Sequence, residues 1–259
     1  MKRSIPLLGL LAFATPAFAD DDFCADLPGL ATGTCTMPKG VLQLETEPFL
    51  WANSRTATSR DDELDLASSE LRYGVADGIE IQASWTPYVH LRSRDGGDIS
   101  TANGVGDATI GAKFRLTPSD AKVVFGLYPL IKLPVARAPI GNGKVEASLL
   151  APVDIALSKA TTLTLMPEAD WLADADGHGH HPGETFAAAL NQALTKEVAI
   201  EGDLSALRDE DPSGTTHSEA AELALIYQRG KTQLDVAVDR RLGGDFPAWR
   251  LSTGIAQRF

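Results

Sequence analysis

Apolar and polar residues alternate along most of the chain, most clearly close to the C-terminus. Within residues 232–239, Leu234, Val236 and Val238 take every second position, and Gln, Asp, Ala and Asp take the positions before, between and after them. A period of two is typical of a β-strand with one apolar and one polar face. After a Gly-Gly-Asp-Phe-Pro break, the chain alternates again up to the terminal Phe259. The pattern predicts a hairpin that ends with the chain, as in a barrel that closes its last strand on its first.

The same alternation predicts about twelve strands between residue 40 and the C-terminus. Short turns are predicted at 74–78, 117–121, 158–161, 195–198 and 229–231, and they alternate with longer loops at 53–62, 92–106, 136–144, 173–184, 209–217 and 241–247. Bacterial outer-membrane barrels have even strand numbers, short periplasmic turns and long extracellular loops. We therefore predict an all-β fold, a single antiparallel transmembrane β-barrel over residues 40–259 with both termini in the periplasm. A soluble β-sandwich would explain the alternation but not the asymmetry of the connections.

The first residues have the features of a secretory signal peptide. Two basic residues, an apolar stretch and the sequence Ala-Phe-Ala ending at Ala19 follow one another in that order. Such segments are removed after export, so a signal peptide is expected over residues 1–19. The apolar stretch is too short to span a membrane, and no later run approaches about eighteen apolar residues. An exported barrel of this kind belongs in the outer membrane of a Gram-negative cell, in contact with its lipid.

The chain has two cysteines, Cys24 and Cys35, and both precede the first predicted strand. Disulfides form in oxidising compartments such as the periplasm. We therefore expect these cysteines to pair within an N-terminal periplasmic segment over residues 20–39. A metal-binding or reactive pair is the alternative, but no histidine lies near them in the sequence.

Charge indicates what the barrel could contain. The formal net charge is -12, with 35 acidic and 23 basic residues, so nucleic acid is not an expected partner. Placing the polar face of each strand inside gives interior candidates in which acids outnumber bases: Glu45, Glu47, Glu70, Arg72, Glu80, Lys113, Arg115, Lys132, Asp154, Glu168, Asp170, Glu201, Asp203, Glu222, Asp235, Asp239 and Arg250. A water-filled lumen lined in this way would disfavour anions. Alternatively, these side chains form ion pairs across a closed lumen.

Two local clusters suggest chemistry without specifying it. Residues 173–184 are rich in Asp, Gly and His, and His178, His180 and His181 are weak candidates for zinc or copper ligands. The glycines leave no formed site, so no metal or other cofactor is predicted. His217, Ser218 and Glu219 are adjacent, but no hydrolase motif surrounds them. The chain is therefore not predicted to be an enzyme, and a hydrolase at the edge of the lumen is only the third interpretation.

Three segments resemble a bacterial outer-membrane transporter family linked to the meta-cleavage pathway of phenol degradation. They are residues 71–88 (LRYGVADGIEIQASWTPY), 104–116 (GVGDATIGAKFRL) and 128–136 (YPLIKLPVA). The terminal Phe259 is similar to the aromatic signal read by the barrel-assembly machinery, although Gln257 departs from the apolar residue that such signals often carry. The resemblance implies a channel for passive passage of small molecules, with hydrophobic or aromatic solutes as candidates. The alternative is a non-conducting structural barrel with an ion-paired lumen.

Overall fold

The computed structural model describes residues 23–259, and the predicted signal peptide lies outside them. Within the described residues, no helix is long and apolar enough to cross a membrane. The regular elements are β1 (Leu42–Arg55), β2 (Ser59–Ala76), β3 (Ile79–Trp85), β4 (Tyr88–Asp95), β5 (Asp98–Gly104), β6 (Ala108–Arg115), β7 (Val123–Leu133), β8 (Glu146–Leu150), β9 (Val153–Ala156), β10 (Thr161–Ala173), β11 (His180–Ala193), β12 (Val198–Asp211), β13 (Gly214–Arg229), β14 (Thr232–Gly244) and β15 (Trp249–Arg258). All the strand pairings among them are antiparallel.

The strands close into one barrel. β15 pairs with β1 from Gln43 opposite Arg258 to Asn53 opposite Trp249, and the Phe259 amide donates to the Leu42 carbonyl at 2.8 Å. This is the contact that the alternating C-terminal hairpin predicted. Closure gives each strand a neighbour on both sides, except that β5 pairs with β4 alone among the described residues. The predicted fold class, a single antiparallel barrel, is confirmed.

Three strands of the wall are each built from two segments. The first consists of β3 and β4, which both pair with β2. The second consists of β5, which pairs with β4, and β6, which pairs with β3. The third consists of β8 and β9, which both lie between β7 and β10. Pro87 separates β3 from β4 and Pro152 separates β8 from β9, because proline has no amide hydrogen to donate to a neighbouring strand. Counting each pair as one strand gives a wall of twelve strands, as the sequence predicted.

Several predicted loops are strands in the structure. The loops predicted at 92–106, 173–184 and 209–217 are largely occupied by the hairpin of β4 and β5, by the start of β11 and by the ends of β12 and β13. A barrel needs only about 9–11 residues per strand to cross the membrane, whereas β13 has 16. Strand ends that project beyond the lipid have water on both faces, so apolar and polar residues do not alternate there. The alternation therefore located the strands but underestimated their length.

The outer surface of the barrel is its apolar face. Large exposed side chains include Leu71, Ile81, Ile110, Phe125, Leu149, Leu204, Leu223 and Leu234. Exposed Tyr73 and Tyr227 lie near the short turns, and exposed Trp171 and Trp249 lie near the opposite ends of their strands. Aromatic residues at both edges of an apolar band are typical of a barrel surrounded by lipid. Below, the short-turn end is the end of the wall near Tyr227, and the long-loop end is the end near Trp171.

The described residues ahead of β1 lie inside the barrel. We call residues 23–40 the N-terminal segment. Its backbone is hydrogen bonded to wall residues as distant in sequence as Asp154 and Asp203. Cys24 and Cys35 form a disulfide within it. The sequence placed this segment ahead of the barrel and gave no indication that it enters the lumen.

Candidate channel interior

The alternation predicted titratable residues on the interior face of the wall. Glu45, Arg72, Glu80, Lys113 and Asp239 are fully buried there. Lys132 and Arg115 differ from these buried residues because they lie at the two ends of the barrel. Lys132 contacts Glu146 at 2.6 Å at the long-loop end, and Arg115 contacts Asp77 at 2.7 Å in a short turn. The interior therefore has charged groups along its whole length, but their environments differ.

Arg72 is the centre of a buried ion cluster at the short-turn end. Its guanidinium donates to Glu45 Oε1 at 2.8 Å and to Glu80 Oε1 at 2.8 Å, and none of these three side chains is exposed. The same guanidinium donates to the carbonyls of Cys24 and Cys35, at 3.1 Å each. Because Arg72 binds the wall and both cysteine carbonyls together, it joins the disulfide loop to β1 and β3.

Lys113 adds a second connection between the wall and the N-terminal segment. Its ammonium group donates to both carboxylate oxygens of Asp26, at 2.7 and 2.8 Å. Asp26 also accepts from Gln82 at 2.9 Å and lies 3.3 Å from Arg72. Buried charges are tolerated when they are paired and hydrogen bonded. Asp26 therefore supplies the carboxylate that two buried bases of the wall require.

Further wall carboxylates accept backbone amides of the N-terminal segment. Asp203 Oδ2 accepts from Leu30 N at 2.7 Å, Asp154 Oδ2 accepts from Thr34 N at 2.8 Å, and Glu80 Oε2 accepts from Met37 N at 2.6 Å. An extended segment inside a barrel has no strand partner for these amides, and carboxylates at the wall satisfy them. Much of the acidic lumen predicted from sequence is therefore used to hold this segment.

The end of the N-terminal segment passes close to the backbone of β2. Gly40 N donates to Gly74 O at 2.8 Å, and Gly74 N donates to Val41 O at 3.0 Å. A Cβ atom at Gly74 would overlap the carbonyl oxygen of Pro38 and lie 2.6 Å from that of Met37. The absence of a Cβ atom at Gly74 therefore allows the N-terminal segment to contact the backbone of the wall.

Cavities with mixed polar and apolar linings flank the N-terminal segment. One lies between the segment and the opposite wall and is lined by residues that include Leu27, Gly33, Thr164, Asn191 and Gln233. A second lies nearer the short turns, where its lining includes residues 34–38 together with Arg115 and Arg258. The segment thus narrows the interior without filling it.

A row of three carboxylates lies between the N-terminal segment and the long-loop end. Asp203, Glu222 and Asp239 stand directly opposite one another on β12, β13 and β14, and Arg250 on β15 faces Asp239. The exposed fractions of the three acids are 2%, 7% and 0%. Within residues 23–259, no hydrogen-bond donor reaches Glu222 Oε1 or Asp203 Oδ1. Arg250 Nε lies 3.4 Å from Asp239 Oδ2, which gives the carboxylate row an ion pair with β15.

Several of the remaining interior acids have neutral partners in the wall. Asn191 donates to Glu201 at 2.9 Å, Gln233 donates to Asp235 at 3.3 Å, and Ser148 donates to Asp170. Further interior acids are Glu47, Glu70 and Glu168; the Tyr128 hydroxyl lies 3.4 Å from Glu70. With Arg250 as the base beside the carboxylate row, this part of the lumen has a negative potential.

The three histidines of residues 173–184 have separate positions at the long-loop end. The His180 ring stacks on Trp171 at 3.6 Å and its Nε2 lies 2.9 Å from the Val145 carbonyl, and the His178 backbone amide donates to Asp176. His181 instead points inward and is 6% exposed. The sequence did not indicate which of these histidines points inward, because residues 173–184 were predicted as a loop and β11 begins within them, at His180.

His181 is surrounded by carboxylates from two hairpins. Its Nδ1 lies 2.8 Å from Asp174 Oδ1 and 3.6 Å from Asp211 Oδ2, and its Nε2 lies 2.7 Å from Asp209 Oδ1. These residues lie beyond the lipid-facing apolar band. The hydrogen bond to Asp174 raises the pKa of the His181 imidazole, and Asp209 and Asp211 add to that effect. Hydrogen bonds from Ser213 and Ala175 lower the pKa of Asp211 to about 2.

Comparison with protein families identifies the chain. The profile of the family described as "Putative MetA-pathway of phenol degradation" matches residues 25–259, which is nearly the whole of the described chain. The chain belongs to this family. The resemblance carried by residues 71–88, 104–116 and 128–136 is thereby confirmed. No curated protein matches the chain.

Several solved structures of outer-membrane proteins have a fold similar to that of this family member. An outer membrane channel from Pseudomonas putida F1 has a TM-score of 0.67 at 16% identity, covering 93% of this chain and 99% of that one. The translocator domain of the autotransporter NalP from Neisseria meningitidis has a TM-score of 0.53 at 9% identity, covering 87% and 91%. The NanC porin has a TM-score of 0.52 at 9% identity, covering 83% and 98%. The fold of this family member is therefore that of outer-membrane barrels.

Proposed function

We propose that this member of the family is a passive outer-membrane channel for small molecules. The observation that carries the proposal is the space beside the N-terminal segment, a cavity that Thr162, Thr164 and Asn191 of the wall line together with residues of the segment. Small barrels of about eight strands are filled by their own side chains, whereas wider barrels leave room for solvent. A twelve-stranded wall with a polar lining is wide enough to admit water and small solutes past the segment.

The direction of the barrel in the membrane follows from its connections. Short turns lie on the periplasmic side of outer-membrane barrels. We therefore place the N-terminal segment and the C-terminal Phe259 on that side, so that the segment narrows the periplasmic half of the lumen. Phe259 is 62% exposed beside the strand that closes the barrel, where the barrel-assembly machinery could reach it.

The lining suggests which solutes pass. The carboxylate row and the other interior acids favour cations and neutral molecules over anions. Aromatic solutes are supported by the description of the family, which names phenol degradation. We propose small neutral or cationic solutes, with phenolic compounds as the first to test.

A non-conducting barrel is the second candidate, and the Arg72 cluster favours it. This cluster binds the N-terminal segment to β1 and β3 through side chains that are fully buried. If the cavities beside the segment do not connect, the same contacts would seal the lumen, and the barrel would have a structural role.

Single-channel recording separates the two candidates. The protein, purified from outer membranes in detergent, is inserted into a planar bilayer, and the reversal potential in a salt gradient gives the cation-to-anion permeability ratio. Discrete steps with a preference for cations support the channel. A protein that shows the heat-modifiable gel shift of a folded barrel but no steps supports the sealed barrel. Swelling of proteoliposomes in phenol, compared with a neutral sugar of similar size, then tests the solute class.

A further inference from the structure

We propose that Asp174, His181 and Asp211 bind a divalent transition-metal ion at the long-loop end of the barrel. Asp174 follows β10, His181 lies at the start of β11, and Asp211 is the last residue of β12. One ligand atom from each of these residues lies within 4.8 Å of the other two. The two carboxylates and the imidazole thus come from two different hairpins and meet at one point.

The position of this site is outside the lipid. The outward side chains of β11 change from Phe186 to Glu184, and those of β12 change from Ala206 to Arg208, before the site is reached. A charged outward residue marks the end of the apolar band of a barrel. The site is therefore in contact with the aqueous phase at the long-loop end, where a dissolved ion can reach it.

The distances are close to those of a metal site. Zinc binds histidine nitrogen and carboxylate oxygen at about 2.0–2.2 Å, so two ligand atoms on a tetrahedral ion are ~3.4 Å apart. His181 Nδ1 lies 3.6 Å from Asp211 Oδ2, which already fits, and 2.8 Å from Asp174 Oδ1. Binding an ion requires Asp174, at the first position of a turn, to retreat by about 0.6 Å. Water completes the coordination.

The hydrogen count at His181 points to a bound cation. A neutral imidazole has one N–H group, yet both of its nitrogens face carboxylate oxygens, with Nδ1 at 2.8 Å from Asp174 and Nε2 at 2.7 Å from Asp209. One of these nitrogens would present a lone pair to an anion unless a cation lies between them. A metal ion at Nδ1 would bind Asp174 and Asp211 together, since both carboxylates face this nitrogen, at 2.8 and 3.6 Å.

The surroundings of His181 are arranged as metal sites are. Asp209 accepts from Nε2 and so fixes the imidazole with Nδ1 turned towards the other two carboxylates, as carboxylates behind metal-bound histidines do. Asp211 is held by the backbone amides of Ala175 and Ser213, each at 2.7 Å. Asp209 is thus a positioning residue, and Asp211 is held in place before the ion arrives.

Local charge favours a divalent ion. Three carboxylates surround one imidazole, and among residues 23–259 no lysine or arginine forms an ion pair with Asp174, Asp209 or Asp211. The base nearest in sequence, Arg208, is paired with Glu210 at 2.8 Å. A borderline ion such as Zn²⁺ suits one nitrogen and two oxygen ligands, whereas Ca²⁺ takes oxygen ligands alone. A bound ion would link the β10–β11 hairpin to the β12–β13 hairpin at the mouth of the barrel.

Calorimetric titration with Zn²⁺ tests the site. Protein without a polyhistidine tag is purified from outer membranes and stripped with a chelator, and each variant is first checked by its heat-modifiable gel shift. We expect one saturable site per chain, lost in His181→Ala and Asp211→Asn. His180→Ala and His178→Ala are matched controls that retain it, since their rings do not join the cluster. Asp209→Asn is expected to weaken binding by about 10–100-fold without abolishing it.

Three results would overturn the proposal. The first is no saturable Zn²⁺ binding by the unaltered protein, which would leave His181 as an imidazolium clamp between the two hairpins. The second is a site that survives His181→Ala but is lost in His178→Ala or His180→Ala, which would move it to the turn. The third is Ca²⁺ binding that is unaffected by His181→Ala, which would indicate carboxylates alone. The visible spectrum of bound Co²⁺ provides an independent readout, since it should report a nitrogen ligand in the unaltered protein and change in His181→Ala.

Discussion

Arg72 and Glu80 meet inside the barrel with Nη2 and Oε1 2.8 Å apart, and neither side chain is exposed. The same guanidinium binds Glu45 and the carbonyls of Cys24 and Cys35. A base shared by two buried acids is difficult to replace, because its removal leaves Glu45 without an ion pair and Glu80 with Lys113 alone. This relationship makes the N-terminal segment part of the folded barrel rather than an appendage.

Arg72→Met is expected to destabilise the protein strongly. Methionine preserves much of the volume but leaves the buried Glu45 without an ion pair and leaves Glu80 with Lys113 Nζ at 4.0 Å alone, which costs about 3–5 kcal/mol. The free energy of unfolding can be measured by denaturant titration in lipid with tryptophan fluorescence. The control is Arg115→Met, whose partner Asp77 is 95% exposed at the side chain, so that the expected change is below about 1 kcal/mol. Equal free energies of unfolding for the two variants would show that the Arg72 cluster stabilises the barrel no more than the exposed ion pair does.

Asp154→Ala should loosen the N-terminal segment while the wall remains closed. Asp154 accepts from Thr34 N at 2.8 Å and from Thr34 Oγ1 at 2.6 Å, and the alanine variant loses both contacts. We expect a larger and noisier single-channel conductance, because the segment then moves within the lumen. Asp170→Ala is the control, since Asp170 accepts from Ser148 of the wall and is not bound to the segment. If both variants conduct like the unaltered protein, the segment does not limit the flow.

Gly74→Ala should displace the end of the N-terminal segment. The added Cβ would overlap the Pro38 carbonyl, and two backbones cannot separate locally without giving up the Gly40 N to Gly74 O bond. Overpacking of this kind costs about 1–3 kcal/mol. Amide hydrogen exchange at Gly40 should become faster. Gly97→Ala is the matched control, because no atom lies within 4 Å of its added Cβ, and unchanged exchange at Gly40 in both variants would contradict the prediction.

The sequence predicted the wall better than its contents, and the reason is physical. Each strand of the wall must place apolar side chains in lipid and polar ones inside, so residues such as Leu234 and Asp235 record their faces in a period of two. The N-terminal segment has no such constraint. Its amides are satisfied one by one, for example Leu30 by Asp203, and no local pattern encodes a partner so distant in the chain.

The candidate metal site shows the same limit. The sequence indicated the histidines of residues 173–184, but the partner Asp211 belongs to the next hairpin and becomes a neighbour of His181 only through the pairing of β11 with β12. Once that register is fixed, Gly183 stands opposite Asp209, which brings the end of β12 to the start of β11. Strand pairing, which the alternation alone does not specify near the strand ends, decides which histidine lies among the carboxylates.

Ion selectivity should respond in opposite directions to two neighbouring substitutions. Glu222→Gln removes one charge from the carboxylate row, whereas Arg250→Gln removes the base beside it. A unit charge about 10 Å from a passing ion in water changes its energy by about 0.4 kcal/mol, or about twofold in local concentration. The cation-to-anion permeability ratio from reversal potentials should therefore fall about twofold in Glu222→Gln and rise about twofold in Arg250→Gln. Glu184→Gln, on the exposed outer face of β11, should leave the ratio unchanged. An unchanged ratio in both interior variants would mean that ions do not pass the carboxylate row, and that the conducting path lies elsewhere in the lumen.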